Sequence, residues 1–189
     1  MSIIDVIITI GWVAFWLYWL IAAFGSKKNS APRIQHFVGV RLIMFVVIVL
    51  LIRTSLTKSI SLNHDLFVQK NYWLLSIGLI LFIAGLMLAI WARLYLGKNW
   101  GMPMSFKQDP ELVTTGPYRF IRHPIYTGIL LAMLGTALAG SAYWAVILVI
   151  ATIYFIYSAT VEEKNMQRQF PQTYIKYKKQ TKMLIPFVL

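Results

Sequence analysis

Between Tyr72 and Ala92 the chain runs without a single charged side chain. In a bilayer core no water is present to bond backbone N–H and C=O groups, so such a segment has to satisfy them internally, as an α-helix does. About 20 residues, at about 1.5 Å each, cross a hydrocarbon core of about 30 Å. Tyr72, Trp73 and Trp91 stand near the ends of the run, where an aromatic belt belongs. The run is expected to be a membrane span.

Four further apolar runs follow the same logic. Ile3 to Phe24 is broken only by Asp5 and small polar groups; with no basic start and a long core, it reads as a retained span and not as a cleaved signal. Val38 to Leu56 carries Arg41 and Arg53 around an uncharged centre, and both side chains can snorkel to the headgroups. Pro124 to Ala139 and Ala142 to Val161 are parted only by Gly140-Ser141, a tight turn that makes them an antiparallel hairpin. The first arm is short for a full crossing, which predicts a cavity at one membrane face. The fold expected is all-α, a polytopic membrane protein of about five transmembrane helices with a C-terminal hairpin and an amphipathic tail helix. Residues 1–92 form its three-helix transmembrane region and 93–189 the region with the chemistry, in one integrated domain.

Composition agrees. The chain is 59% hydrophobic and 13% charged, against roughly a quarter charged in soluble domains. Its net charge of +12 has no soluble module with a basic, aromatic-interleaved patch to hold a nucleic acid, so the charge is assigned to a membrane surface. The absence of cysteine excludes disulfides, thiolate nucleophiles and cysteine-ligated metals. His36, His64 and His123 are widely separated, and no metal-ligand spacing is present. Lysine and arginine accumulate in the loops on one side: Lys98, Lys107, Arg119 and Arg122, and then the tail from Lys164 to Lys182. By the positive-inside rule the amino terminus is outside, and the motif loop and carboxyl terminus are cytoplasmic.

The chemistry concentrates in Leu112-Val-Thr-Thr-Gly-Pro-Tyr-Arg-Phe-Ile-Arg-His-Pro-Ile-Tyr-Thr-Gly128. One anchor suffices to fix a helix end; Arg119, Arg122, His123 and Tyr126 within eight residues call for another explanation. Pro124 suits the first position of a helix and leaves a positive dipole end at His123, where a carboxylate or phosphate can bind. Arg122 adds a forked donor, the turn around Gly116 brings backbone close, and Tyr118 and Tyr126 offer flat faces for an adenine or a sulfonium. Singly, each is an ordinary anchor or cap; together they form a candidate anion and cofactor site. Glu162 and Glu163 end the last span, and antiparallel pairing returns them to the motif. Adjacent helical residues point about 100° apart, so one is expected to face the cavity, Glu162 being favoured, and the other water. The bland alternative is an ion pair with Arg119 or Arg122. Met166, Phe170, Tyr174 and Tyr177 form an apolar stripe in the tail, either an interfacial lipid anchor or a lid over the cavity.

The motif block, with Glu162-Glu163 and the Phe170, Tyr174, Tyr177 and Ile185-Pro186 tail, resembles the isoprenylcysteine carboxyl methyltransferase family, which is similar to the membrane phospholipid methyltransferases. The resemblance covers roughly residues 93 to 189. It implies a membrane enzyme that takes S-adenosylmethionine from the cytosol and methylates a lipophilic or prenylated substrate arriving from the bilayer. By position it assigns cofactor contacts to Glu111, Leu112, Val113, Tyr118, His123, Pro124, Tyr126 and Glu162. The chain departs from the family at Pro110, often histidine there, and at Ser158, where eukaryotic prenylcysteine enzymes carry an arginine read as a carboxylate contact.

Glu162, His123 and Arg122 are the candidate catalytic residues, with no metal. A carboxylate acceptor is already nucleophilic, whereas an amine must first lose a proton, for which Glu162 or His123 is the candidate base. The same site could therefore serve the carboxylate of an isoprenylcysteine-like molecule or a phospholipid amine, and the resemblance favours carboxyl O-methylation. The alternatives are an NADPH-dependent reductase of a lipid ring, since membrane sterol reductases have a similar Arg-His-Pro element, and a non-catalytic membrane accessory protein.

Overall fold

A computed structural model describes residues 3–23, 72–100, 111–139 and 142–186. The second expected span, the Gly140-Ser141 turn and Pro110 lie outside the described residues. Five α-helices are described: α1 (Ile3–Ala23), α2 (Tyr72–Leu96), α3 (Pro124–Ala139), α4 (Ala142–Gln169) and α5 (Thr173–Gln180). No strand is present among the described residues, and α1, α2 and α4 are each long and apolar enough to cross a membrane. The described residues are thus all-helical, in keeping with an integral membrane protein. α2 runs unbroken through the boundary expected at residues 92 and 93.

α3 packs most closely on α2, and glycine is the reason. A Cβ on Gly85 would stand 2.5 Å from the Gly128 carbonyl oxygen, and one on Gly135 would stand 2.4 Å from that of Gly78. With Ala89 and Ala132 between them, both at 0% exposure, the two backbones are in direct contact. In lipid there is little hydrophobic drive between helices, and close backbone approach through small residues supplies the van der Waals contact instead. This seam was not anticipated from the sequence, although small residues spaced four apart in Gly85-x-x-x-Ala89 and Gly128-x-x-x-Ala132 were the available signal.

α1 lies against this pair through aromatic side chains. Trp12 stacks on Trp144 of α4 and meets Phe82 of α2 edge-on, while its indole N–H donates to Thr136 Oγ1 at 3.1 Å. At the other end Arg93 of α2 donates to the Ala22 carbonyl at 2.6 Å and the Gly97 carbonyl at 2.7 Å, with its guanidinium 4.6 Å from the Trp100 ring centre. A charge at the end of an apolar helix is held here by two carbonyl dipoles and a π face.

α4 continues past the expected end of its span at Val161, so that Glu162 and Glu163 lie inside the helix. It stops at Gln169, just before Pro171, which cannot continue it. The tail stripe is thereby divided between the end of α4 and the short α5. Tyr174 and Tyr177 of α5 are both buried.

Candidate functional site

The motif loop is shaped by backbone demands. Gly116 sits at φ +59°, and a Cβ there would come within 2.4 Å of the Tyr95 ring, so both conformation and space select glycine. The turn Gly116–Arg119 follows, closed by hydrogen bonds from Tyr118 N to Thr115 O and from Phe120 N to Pro117 O, each 3.2 Å. Residues 121–123 then run beside the end of the tail. Ile121 bridges Lys182 in parallel, Arg122 N donates to Lys182 O at 2.9 Å and His123 N to Met183 O at 3.0 Å. Pro124, fully buried, opens α3. The His123 N–H, at the mouth of that helix, is thus taken by a tail carbonyl.

The side chains converge on His123. Its Nδ1 stands 3.6 Å from Glu162 Oε2 and its Nε2 stands 3.6 Å from Glu163 Oε1. These are ion-pair separations, too long for hydrogen bonds. The expectation that one carboxylate faces the site and the other water is not what is found, because two adjacent side chains about 100° apart can straddle one imidazole and approach a nitrogen each. They differ in cover: the Glu163 side chain is 3% exposed and that of Glu162 is 25% exposed. Glu163 is the more deeply buried of the two, and Glu162 reaches the site while keeping some exposure.

Glu163 is held by cations. Arg122 Nε donates to its Oε1 at 2.6 Å and Lys178 Nζ lies 2.7 Å from its Oε2. Arg122 Nη1 also donates to the carbonyls of Thr181 and Lys178. The ion pair foreseen as the bland alternative is present, and it also ties the motif and α4 to the tail. Glu162 accepts a 2.5 Å hydrogen bond from the Tyr126 hydroxyl. The Tyr126 ring lies parallel to His123 and stacks on Phe155 at 4.6 Å. At 8% exposure it has little open face for an adenine.

Tyr118 is buried as well, and it is reached from the tail. The Tyr177 hydroxyl donates to the Tyr118 carbonyl oxygen at 2.6 Å. Burial pushes the Tyr177 phenol up to about 12 and raises that of Tyr118. Both stay neutral at physiological pH, and Tyr177 remains a donor. Thr127 Oγ1 adds a hydrogen bond to the Leu184 carbonyl at 2.6 Å. Tyr177 was marked from the sequence only as part of the stripe, and Lys178, Thr181 and Leu184 were not proposed as site residues, since a stripe and a run of lysines do not name the carbonyls they will meet.

Leu112 and Val113 are half-buried, with Val113 packed against the core. Glu111 is exposed and receives a 3.4 Å hydrogen bond from Asn99 Nδ2. Ser158, one turn before Glu162 on α4, is fully buried with no hydrogen-bond partner for its hydroxyl.

A family model described as phospholipid methyltransferase matches residues 73–173. Protein-S-isoprenylcysteine O-methyltransferase B of Arabidopsis thaliana is 26% identical over 124 residues, which cover 64% of this chain and 63% of that protein. Protein-S-isoprenylcysteine O-methyltransferase of Xenopus laevis is 30% identical over 120 residues, covering 61% and 42%. Methanethiol S-methyltransferase of Crocosphaera subtropica is 32% identical over 95 residues, covering 50% and 34%. The chain thus spans less than two thirds of the length of these relatives.

Proposed function

The chain belongs to the phospholipid methyltransferase family, and on that premise we propose that it methylates a lipophilic acceptor in the membrane with S-adenosylmethionine as donor. The favoured acceptor is a carboxylate, as in an isoprenylcysteine-like molecule. The observation that carries this reading is the return of Glu162 and Glu163 to His123 and Tyr126 across the α3–α4 hairpin.

The donor set fits such a cofactor. His123 Nε2 is buried with no hydrogen-bond partner, a state that costs about 1–3 kcal/mol and that a ligand carboxylate or hydroxyl relieves. Glu162, partly exposed, suits an ammonium group, and Glu111, Leu112, Val113, Gly116, Tyr118, Arg122, Pro124 and Tyr126 complete the proposed binding set. Bound, the cofactor supplies a methyl group on a sulfonium, open to in-line displacement. The protein's part is positioning, for which effective molarities of about 10⁵ M or more are attainable.

Tyr126 orients Glu162 through its hydroxyl, and Arg122 with Lys178 neutralises Glu163. With both carboxylates engaged, an acceptor that needs no base is favoured over an amine that must lose a proton. The test incubates purified protein with methyl-labelled S-adenosylmethionine, a total lipid extract, a prenylcysteine analogue and an alkanethiol. Label is expected in a prenylcysteine ester; label confined to a phospholipid amine or a thioether overturns the acceptor class, and no label anywhere overturns the enzyme.

His123→Ala is expected to reduce S-adenosylmethionine affinity by at least tenfold, since a positioned hydrogen bond to a charged group is worth about 1.5–3 kcal/mol. Titration in detergent checks it, with NADPH as the comparison ligand; unchanged affinity removes His123 from the site. We further assign the motif loop and tail to the cytoplasm and the amino terminus to the outside, supported by the gathering of Arg119, Arg122, Lys178 and Lys182 at one end. As the chain has no cysteine, a single cysteine at Lys179 gives a clean check. An impermeant maleimide should leave it unlabelled in intact cells and label it after lysis.

A further inference from the structure

The tail's apolar stripe is turned inward, with Tyr174 and Tyr177 buried and Tyr177 bonded to Tyr118, so α5 does not offer it to a membrane. What the tail turns outward is charge. A groove of about 360 Å³ opens between the Gly116–Arg119 turn and residues 178–186, with Arg119, Phe120, Lys179, Lys182 and Pro186 in its wall and no carboxylate lining it. Arg122 and Lys178, also in the wall, are engaged with Glu163. Among the described residues, Arg119, Lys179 and Lys182 have no acidic partner and are exposed.

These three cations come from two segments. Arg119 belongs to the motif turn, and Lys179 and Lys182 belong to the tail. Like charges facing across a gap repel, and an anion seated between them turns that repulsion into a bridge. Phe120, in the same wall, is 56% exposed, and Ile185, the chain neighbour of Pro186, is 49% exposed. The segment also lies at the helix ends where α3 begins and α4 finishes. An apolar side chain adjoining a basic cluster at the end of a span is the pattern that inserts at an acyl boundary while its cations hold headgroups.

We propose that this groove seats the phosphate headgroup of an anionic glycerophospholipid, held by Arg119, Lys179 and Lys182 with Phe120 at the acyl boundary, and that the lipid clamps the tail onto the motif turn. A soluble anion lacks the acyl chains that Phe120 and Ile185 would meet, which favours the lipid source. The latch is read directly at Arg122 N and His123 N, whose bonds to Lys182 O and Met183 O join the two segments.

The experiment is hydrogen exchange on the full chain in nanodiscs. Exchange at residues 121–123 and 174–184 is expected to slow at least about tenfold in discs containing phosphatidylglycerol relative to phosphatidylcholine alone, given about fivefold in binding per basic residue near an anionic surface. The triple variant Arg119→Gln, Lys179→Gln, Lys182→Gln should lose the slowing while matching the parent in phosphatidylcholine; that match shows it is folded. Lys179→Gln alone should lie between the two. Equal exchange in both discs overturns the proposal, as does a triple variant that stays protected. Equal protection by millimolar inorganic phosphate in phosphatidylcholine discs overturns the lipid as occupant. Exchange is read without methyl transfer, so this outcome is independent of the catalytic reading.

Discussion

Glu163→Ala is expected to abolish methyl transfer and to cost about 3–5 kcal/mol of stability, the loss typical when one partner of a buried ion pair is removed. The carboxylate is 3% exposed and receives Arg122 Nε at 2.6 Å and Lys178 Nζ at 2.7 Å. Without it the Arg122 guanidinium, itself 7% exposed, keeps a buried charge with only tail carbonyls for company. Lys178, at 42% exposure, can turn to water and contributes less. The effect should reach the tail, because the same arginine donates to the carbonyls of Lys178 and Thr181. Thermal unfolding in detergent, with limited proteolysis of the tail, measures both. Replacing Arg122 and Glu163 together by leucine is expected to recover a good part of the stability, since a hydrophobic pair of similar volume often substitutes for a buried ion pair, while activity stays lost. Recovery of activity in that double variant would show the pair to be a structural tie alone.

Gly128→Leu is expected to prevent recovery of folded protein. A Cβ at this position meets Ala89 N and Gly85 O, each at 2.6 Å. These are backbone atoms and cannot swing aside, so α2 and α3 must separate, at or above the roughly 3 kcal/mol that marks the upper end of ordinary overpacking. Separation also moves the first turn of α3, which carries His123 and Tyr126 to the carboxylates. Leu134→Ala, on the exposed side of the same helix, is the control and should leave the elution profile and melting temperature nearly unchanged. A normally folded Gly128→Leu protein would mean that the two backbones are not in contact there.

Much of the architecture was legible. Long apolar runs marked α1, α2 and α4, because membrane burial is a local demand that each segment must meet from its own sequence. The hairpin was legible from the brevity of its connection, and it carried the pairing of Glu162 with the motif. The seam between α2 and α3 was missed. Its glycines are inconspicuous among apolar residues, and only their alignment on two helices at once creates the contact. The tail was legible as an amphipathic stripe but not in its destination, since an apolar face suits a bilayer and a protein surface equally well. At Pro171 the rigid φ ended α4 and allowed α5 to fold back over Tyr118.

By itself the sequence determined which of the described segments are long apolar helices, and that the conspicuous chemistry gathers at His123 and the two glutamates, because hydropathy, proline and charge act over one or two turns. Tertiary structure alone decided which glutamate is buried, which faces of Tyr126 and Tyr177 are used, and where the tail is tied. Those outcomes depend on atoms brought within about 3 Å from positions some forty to sixty residues apart. A hydrogen bond of that length exists only once both helices and the tail have been set in place.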